Sequence, residues 1–115
     1  IMLSDGQVLA YGTDDKGKQG ADKYYEIWDT RSGQHQVSSN HELYRHNNKV
    51  DIFCSTLSMD ITTGNILIIG GDDGDNNGVK DVFEFNSKTY NIRRHPKGDM
   101  KYARWYASSV NLPDG

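Results

Sequence analysis

Seven short β-rich runs, separated by clusters of Gly, Asn and Asp, limit what this chain can fold into. They span residues 7–11, 24–28, 51–59, 65–69, 81–85, 90–93 and 105–110. All are aromatic or β-branched, and turn formers separate them. No window of ten or more residues carries a 3.6-residue apolar period, so the pattern leaves no room for an amphipathic helix. The expectation is an all-β fold.

The first half of the sequence can be laid on the second. Gln7-Val8-Leu9-Ala10-Tyr11-Gly12 matches Asn65-Ile66-Leu67-Ile68-Ile69-Gly70 at a shift of 58, and Trp28-Asp29-Thr30 matches Phe85-Asn86-Ser87 at a shift of 57. A third copy of the opening element begins at Asp114-Gly115, 51 residues after Gly64. A repeat of about 50 residues with Gly-Gly after its second strand points to kelch-type propeller blades. Each such blade is a four-stranded antiparallel sheet, and closed propellers need roughly 4–8 of them. About two are expected here: a partial blade over 1–49, a complete one over 50–99, and the start of the next over 100–115. The final Asp-Gly lacks the returning strand that a hairpin needs. The span is therefore read as a fragment, with the remainder of the propeller expected on the same natural chain.

Charge and composition narrow the function classes. The 115 residues hold 13 basic and 16 acidic side chains, a net charge of −3, which argues against a dedicated nucleic-acid binder. The longest aliphatic run, 66–69, is far short of the roughly 18 residues of a membrane span. No partner of either kind is expected. The single cysteine, Cys54, excludes an intrachain disulfide and a cysteine zinc site.

Cys54 lies ten residues before Gly64, and Tyr106 nine before Gly115. Both fall near the start of the innermost strand of consecutive blades, so a thiol and a phenol become candidate neighbours at the propeller axis. A free cysteine is more commonly just a small buried apolar residue. The local sequences shift that balance. Asp51-Ile52-Phe53-Cys54, Ile66-Leu67-Ile68-Ile69-Gly70-Gly71 and the stretch Met100-Lys101-Tyr102-Ala103-Arg104-Trp105-Tyr106-Ala107-Ser108-Ser109 resemble the galactose oxidase and glyoxal oxidase family. Arg104-Trp105-Tyr106 is similar to the glyoxal-oxidase branch, and Ala103-Arg104 with Ser108-Ser109 to galactose oxidase.

That resemblance implies a secreted, extracellular copper-radical oxidase. It implies a thioether joining Cys54 to Tyr106, with Tyr106 as a copper ligand and the seat of a tyrosyl radical. The substrates would be a small primary alcohol or aldehyde and O2, with H2O2 released. Phenolate ligands with open positions suit copper(II). The second tyrosine and the histidine ligands of the family belong to later blades, so the span alone is not expected to turn over substrate. None of His35, His41, His46 or His95 stands in a matching motif, and His41 and His46 read as part of an exposed loop. The alternative is a kelch propeller that binds carbohydrate or protein without copper chemistry, since fold never fixes function.

Two further features are read as local structure. Asp73-Gly74-Asp75-Asn76-Asn77-Gly78 followed by Glu84 matches the EF-hand loop pattern, but strands rather than helices are expected on both sides. An acidic blade loop is the reading, with a cation site of another type on Asp73, Asp75 and Asn77 as the alternative. The stretch 13–20 reads as a solvated connector between strands.

Overall fold

A computed structural model describes residues 1–13, 16–18, 24–32, 41–45 and 51–114. The described chain is all-β, with one short 3-10 turn at Thr30–Ser32. Strands β1 (Val8–Ala10), β2 (Tyr24–Trp28) and β3 (His41–Arg45) form one antiparallel sheet in that order. Strands β4 (Thr56–Met59), β5 (Ile66–Ile69), β6 (Val82–Phe85) and β7 (Ile92–Arg94) form a second, also a simple meander. Among the described residues, no helix is long and apolar enough to cross a membrane.

Two hairpins of the second sheet use the same local chemistry. Asp60 accepts bonds from the Thr62 amide and the Thr62 and Thr63 hydroxyls, and Asn86 accepts from the Lys88 and Thr89 amides. Short polar side chains that hydrogen-bond backbone two residues on initiate turns in this way. Four residues after each, Gly64 and Tyr90 adopt left-handed backbone, and their amides return to the Asp60 and Asn86 carbonyls. The chain then reverses into β5 and β7.

Alternation sets the faces. Leu9, Tyr25 and Ile27 bury on one face of the first sheet; Ile66, Ile68, Phe83 and Phe85 bury on one face of the second. Together with Leu3 and Ile52 they make a single core. Tyr25 meets Phe85 edge-on at 6.0 Å, and its hydroxyl donates to the Tyr90 carbonyl at 2.5 Å. The repeat makes this packing asymmetric. The paired residues Leu9 and Ile27 correspond, at shifts of 58 and 57, to the pair Leu67 and Glu84 on the outer face of the second sheet. The buried pair Ile66 and Phe85 corresponds to Val8 and Trp28, on the other face of the first. Opposite faces of equivalent sheets therefore meet, a head-to-tail stacking.

The outer face of the second sheet carries an acid-sensitive contact. Glu84, 9% exposed, accepts from Asn65 Nδ2 at 2.9 Å and from Arg93 Nη2 at 2.6 Å. The Asn65 bond, then the Arg93 bonds, hold its carboxyl below the ordinary value of 4.5. A carboxylate depressed in the native state stabilises above its unfolded value, and that contribution disappears as pH falls through the native one. Glu84→Gln should therefore lose less stability than wild type between pH 6 and pH 3 in urea denaturation. Equal losses in both proteins would refute this role for Glu84.

Three strand expectations need correction. The run 51–59 becomes a strand only from Thr56, because Cys54 takes left-handed backbone, φ 61°, which interrupts β geometry. The run 105–110 forms no ladder strand; Tyr106 is also left-handed, φ 51°. His41 opens β3 instead of lying in a loop. His35, His46 and parts of the 13–20 connector (14, 15, 19 and 20) lie outside the described residues.

Candidate functional site

The site is a junction of three loops at one end of the second sheet. The Asp51 carboxylate takes the Phe53 amide at 2.8 Å, and the Ser55 amide returns to the Ile52 carbonyl at 3.2 Å. That tight turn carries Cys54. The Asp51 carbonyl accepts the Asp72 amide at 2.9 Å, tying the turn to the loop after β5. Within that loop, the Gly71 amide donates to the Arg104 carbonyl at 3.3 Å, and Arg104 donates to the Val79 carbonyl at 2.9 Å.

Glycines make this junction close enough. A Cβ at Gly71 would lie 2.4 Å from the Asp51 carbonyl oxygen, and one at Gly70 2.6 Å from the Arg104 carbonyl oxygen. The Gly-Gly pair thus lets the Cys54 turn and the Arg104 segment both touch the backbone after β5. In the sequence this pair stands as a repeat marker and as part of the family-like motif, with nothing to show that it floors the junction.

Cys54 and Tyr106 come together there. The Tyr106 amide donates to the Cys54 carbonyl at 2.9 Å. The Cys54 thiol nearby, first, and then desolvation and the charge of Asp72 raise the Tyr106 phenol above its ordinary value of 10.0. The Tyr106 side chain is accessible, 67% exposed, with the Trp105 ring 5.0 Å away and tilted by 47°. Left-handed backbone in a residue other than glycine costs about 1–2 kcal/mol. Among the described residues four such positions occur, Cys54, Asn76, Tyr90 and Tyr106. Two of the four are this pair, and strain of this kind concentrates where structure presents functional side chains.

Beyond Tyr106 the chain runs alongside β4 in the same direction. Ser109 Oγ donates to the Leu57 carbonyl at 3.2 Å and lies 3.2 Å from Thr56 Oγ1. Asn111 Nδ2 donates to the Met59 carbonyl at 2.8 Å, and Ser58 hydrogen-bonds Asn111. An offset of 52–53 residues holds throughout. Polar side chains here do what a backbone ladder does elsewhere, so β propensity misread this stretch as a strand.

The calcium-like motif is consumed internally. Asp73 Oδ1 accepts the Asp75 and Asn77 amides at 2.9 and 3.2 Å, and Asp72, 2% exposed, accepts the Gly74 and Asn76 amides at 2.9 Å. Glu84, the would-be bidentate ligand, sits in β6 with Asn65 and Arg93. The flanking elements are β5 and β6. Calorimetric titration with calcium should show no micromolar binding; micromolar binding abolished by Glu84→Gln would contradict that. Among the described residues, no group of three His, Cys, Asp or Glu could hold a metal. The His95 amide bonds the Val82 carbonyl at 2.8 Å, carrying the β6–β7 pairing one step past Arg94.

Comparison with protein-family models, curated proteins and solved structures finds no match to this chain.

Proposed function

We propose that this chain belongs to a copper-radical oxidase built on a kelch-type β-propeller, oxidising a primary alcohol or aldehyde with O2 and releasing H2O2. The observation that carries the reading is the Tyr106 amide bonded to the Cys54 carbonyl, which sets the two residues side by side, with the thiol near enough to raise the phenol above its ordinary value. Head-to-tail stacking of the two sheets supports the propeller. A closed ring is built by repeating such a heterologous contact, whereas a two-fold sandwich would bury equivalent faces.

The donor chemistry fits copper in part. Tyr106 offers an accessible phenol oxygen, a suitable ligand for copper(II). The remaining ligands would come from outside the described residues. Copper, when bound, would supply the one-electron acceptor that works alongside the tyrosine.

Cys54 and Tyr106 would do the rest. Thioether formation breaks the S–H bond and one ring C–H bond beside the hydroxyl, and forms one C–S bond. The two protons and two electrons released pass to O2, giving H2O2. Once joined, the sulfur donates electron density into the ring and eases loss of one electron from it. In turnover the alcohol gives up two electrons and two protons, and O2 receives them.

The test is peroxide release. Copper(II)-loaded protein carrying the complete propeller should produce H2O2 in step with oxidised product from primary alcohols or aldehydes. No peroxide from either substrate class would contradict the oxidase and leave the non-catalytic binding propeller.

A further inference from the structure

Among the described residues, Asp72 is the most deeply buried charged side chain, 2% exposed. Burying a carboxylate is costly, so the bonds it makes show what holds it there. Its backbone is bridged on one side to Asp51 and on the other to Gly78. Toward Asp51, the Asp72 amide donates to the carbonyl at 2.9 Å, and the Asp51 carboxylate takes the Phe53 amide at the foot of the Cys54 turn. That is the arm that carries the thiol.

The Asp72 side chain serves the other arm. Its Oδ1 accepts the Gly74 and Asn76 amides, both at 2.9 Å, and so closes the loop 72–78. Asn76 is left-handed there, φ 62°, a conformation that persists only where its surroundings hold it. The closed loop delivers Gly78 and Val79 onto the Arg104 segment. A Cβ at Gly78 would lie 2.6 Å from the Arg104 carbonyl carbon and 2.7 Å from the Trp105 nitrogen. Val79 is bridged to Arg104 and accepts its amide at 2.9 Å. Two residues on, the Tyr106 amide reaches the Cys54 carbonyl. Gly71 touches both arms through its backbone alone; at Asp72 a side chain does the holding.

We infer that Asp72 is the positioning residue of the Cys54–Tyr106 pair: its carboxylate closes the 72–78 loop onto Arg104 and thereby sets the phenol beside the thiol. It acts through acceptor geometry rather than through charge. The Tyr106 phenol responds to the Cys54 thiol first and to the Asp72 charge last. An uncharged amide oxygen in the same place should therefore hold the loop equally well. The placement belongs to the metal-free chain; its consequence for thioether formation rests on the copper-radical reading.

The test compares Asp72→Asn, Asp72→Ala and Asp73→Ala in the 115-residue chain without metal. Hydrogen exchange at the Tyr106 amide is the readout, with β5 and β6 amides as the reference for folding. Asparagine keeps the acceptor oxygen, so exchange should stay within about threefold of wild type. Alanine leaves two loop amides without an acceptor and should speed exchange about 100-fold relative to the reference. Asp73→Ala removes only the neighbouring bonds to Asp75 and Asn77 and should leave Tyr106 unchanged. Where Asp72→Ala also loosens β5 and β6, added sulfate restores burial and the comparison is made there. Unchanged exchange in Asp72→Ala, or equal acceleration in Asp73→Ala, would overturn the inference. So would Asp72→Asn exchanging as fast as Asp72→Ala, which would assign the effect to charge. In protein carrying the complete propeller, with copper(II) and O2, thioether formation should slow at least ~10-fold in Asp72→Ala and recover in Asp72→Asn. No thioether even in wild type would count against the oxidase and leave the exchange result to decide Asp72.

Discussion

Gly71→Ala should destabilise the protein by about 2–6 kcal/mol. Roughly 1–3 of that is backbone strain and ~1–3 the displacement of packed neighbours. Gly71 has φ +139°, and its added Cβ would meet the Asp51 carbonyl oxygen at 2.4 Å. Domains are stable by only about 5–15 kcal/mol, so a loss of this size takes much of the total. Gly74 is the control: φ is +97°, but nothing lies within 4 Å of its Cβ position. Gly74→Ala should show strain alone. Urea denaturation midpoints check the pair, and equal losses would refute the close junction beneath the Cys54 turn.

On the proposed copper-radical chemistry, Cys54→Ser should leave the fold standing and lower turnover of the copper-loaded protein on the order of 100-fold, about 3 kcal/mol of barrier. A serine oxygen can occupy the place of the sulfur, but it forms no thioether to ease oxidation of the ring. Tyr106→Phe should abolish turnover entirely, because it removes both the ligand oxygen and the radical. Tyr106 is 67% exposed, so its loss should change stability by no more than about 0.5 kcal/mol. This split between activity and stability separates a catalytic pair from a packing contact. Cys54→Ser with unchanged turnover would contradict the catalytic role of the sulfur.

The all-β class was legible because its signals are local. Tyr24–Trp28 and Ile66–Ile69 are β-branched and aromatic runs bounded by turn residues, and both are strands. The repeat was equally legible, since matched residues such as Val8 and Ile66 also match in strand register. Strand β3 was not, because His41-Glu42-Leu43-Tyr44-Arg45 carries few β formers and is held by pairing with β2. Nor were the ends of the inner runs. Cys54 and Tyr106 take left-handed backbone because the glycine junction fixes the loops around them, and that is a tertiary effect. The adjacency of the two residues followed from repeat arithmetic. The means by which it is held, an amide–carbonyl bond over a Gly-Gly floor, had no signal in either motif.

The central claim is that Cys54 and Tyr106 are placed to become one covalent group, and intact mass tests it most directly. Protein carrying both residues, incubated with copper(II) in air, should lose about two mass units, and Cys54 should stop reacting with thiol reagents because a thioether has no thiolate. Peptide mapping should then recover the peptides containing Cys54 and Tyr106 as a single linked species. An unchanged mass with a reactive Cys54 thiol, in copper-loaded and oxygen-exposed protein, would contradict the account.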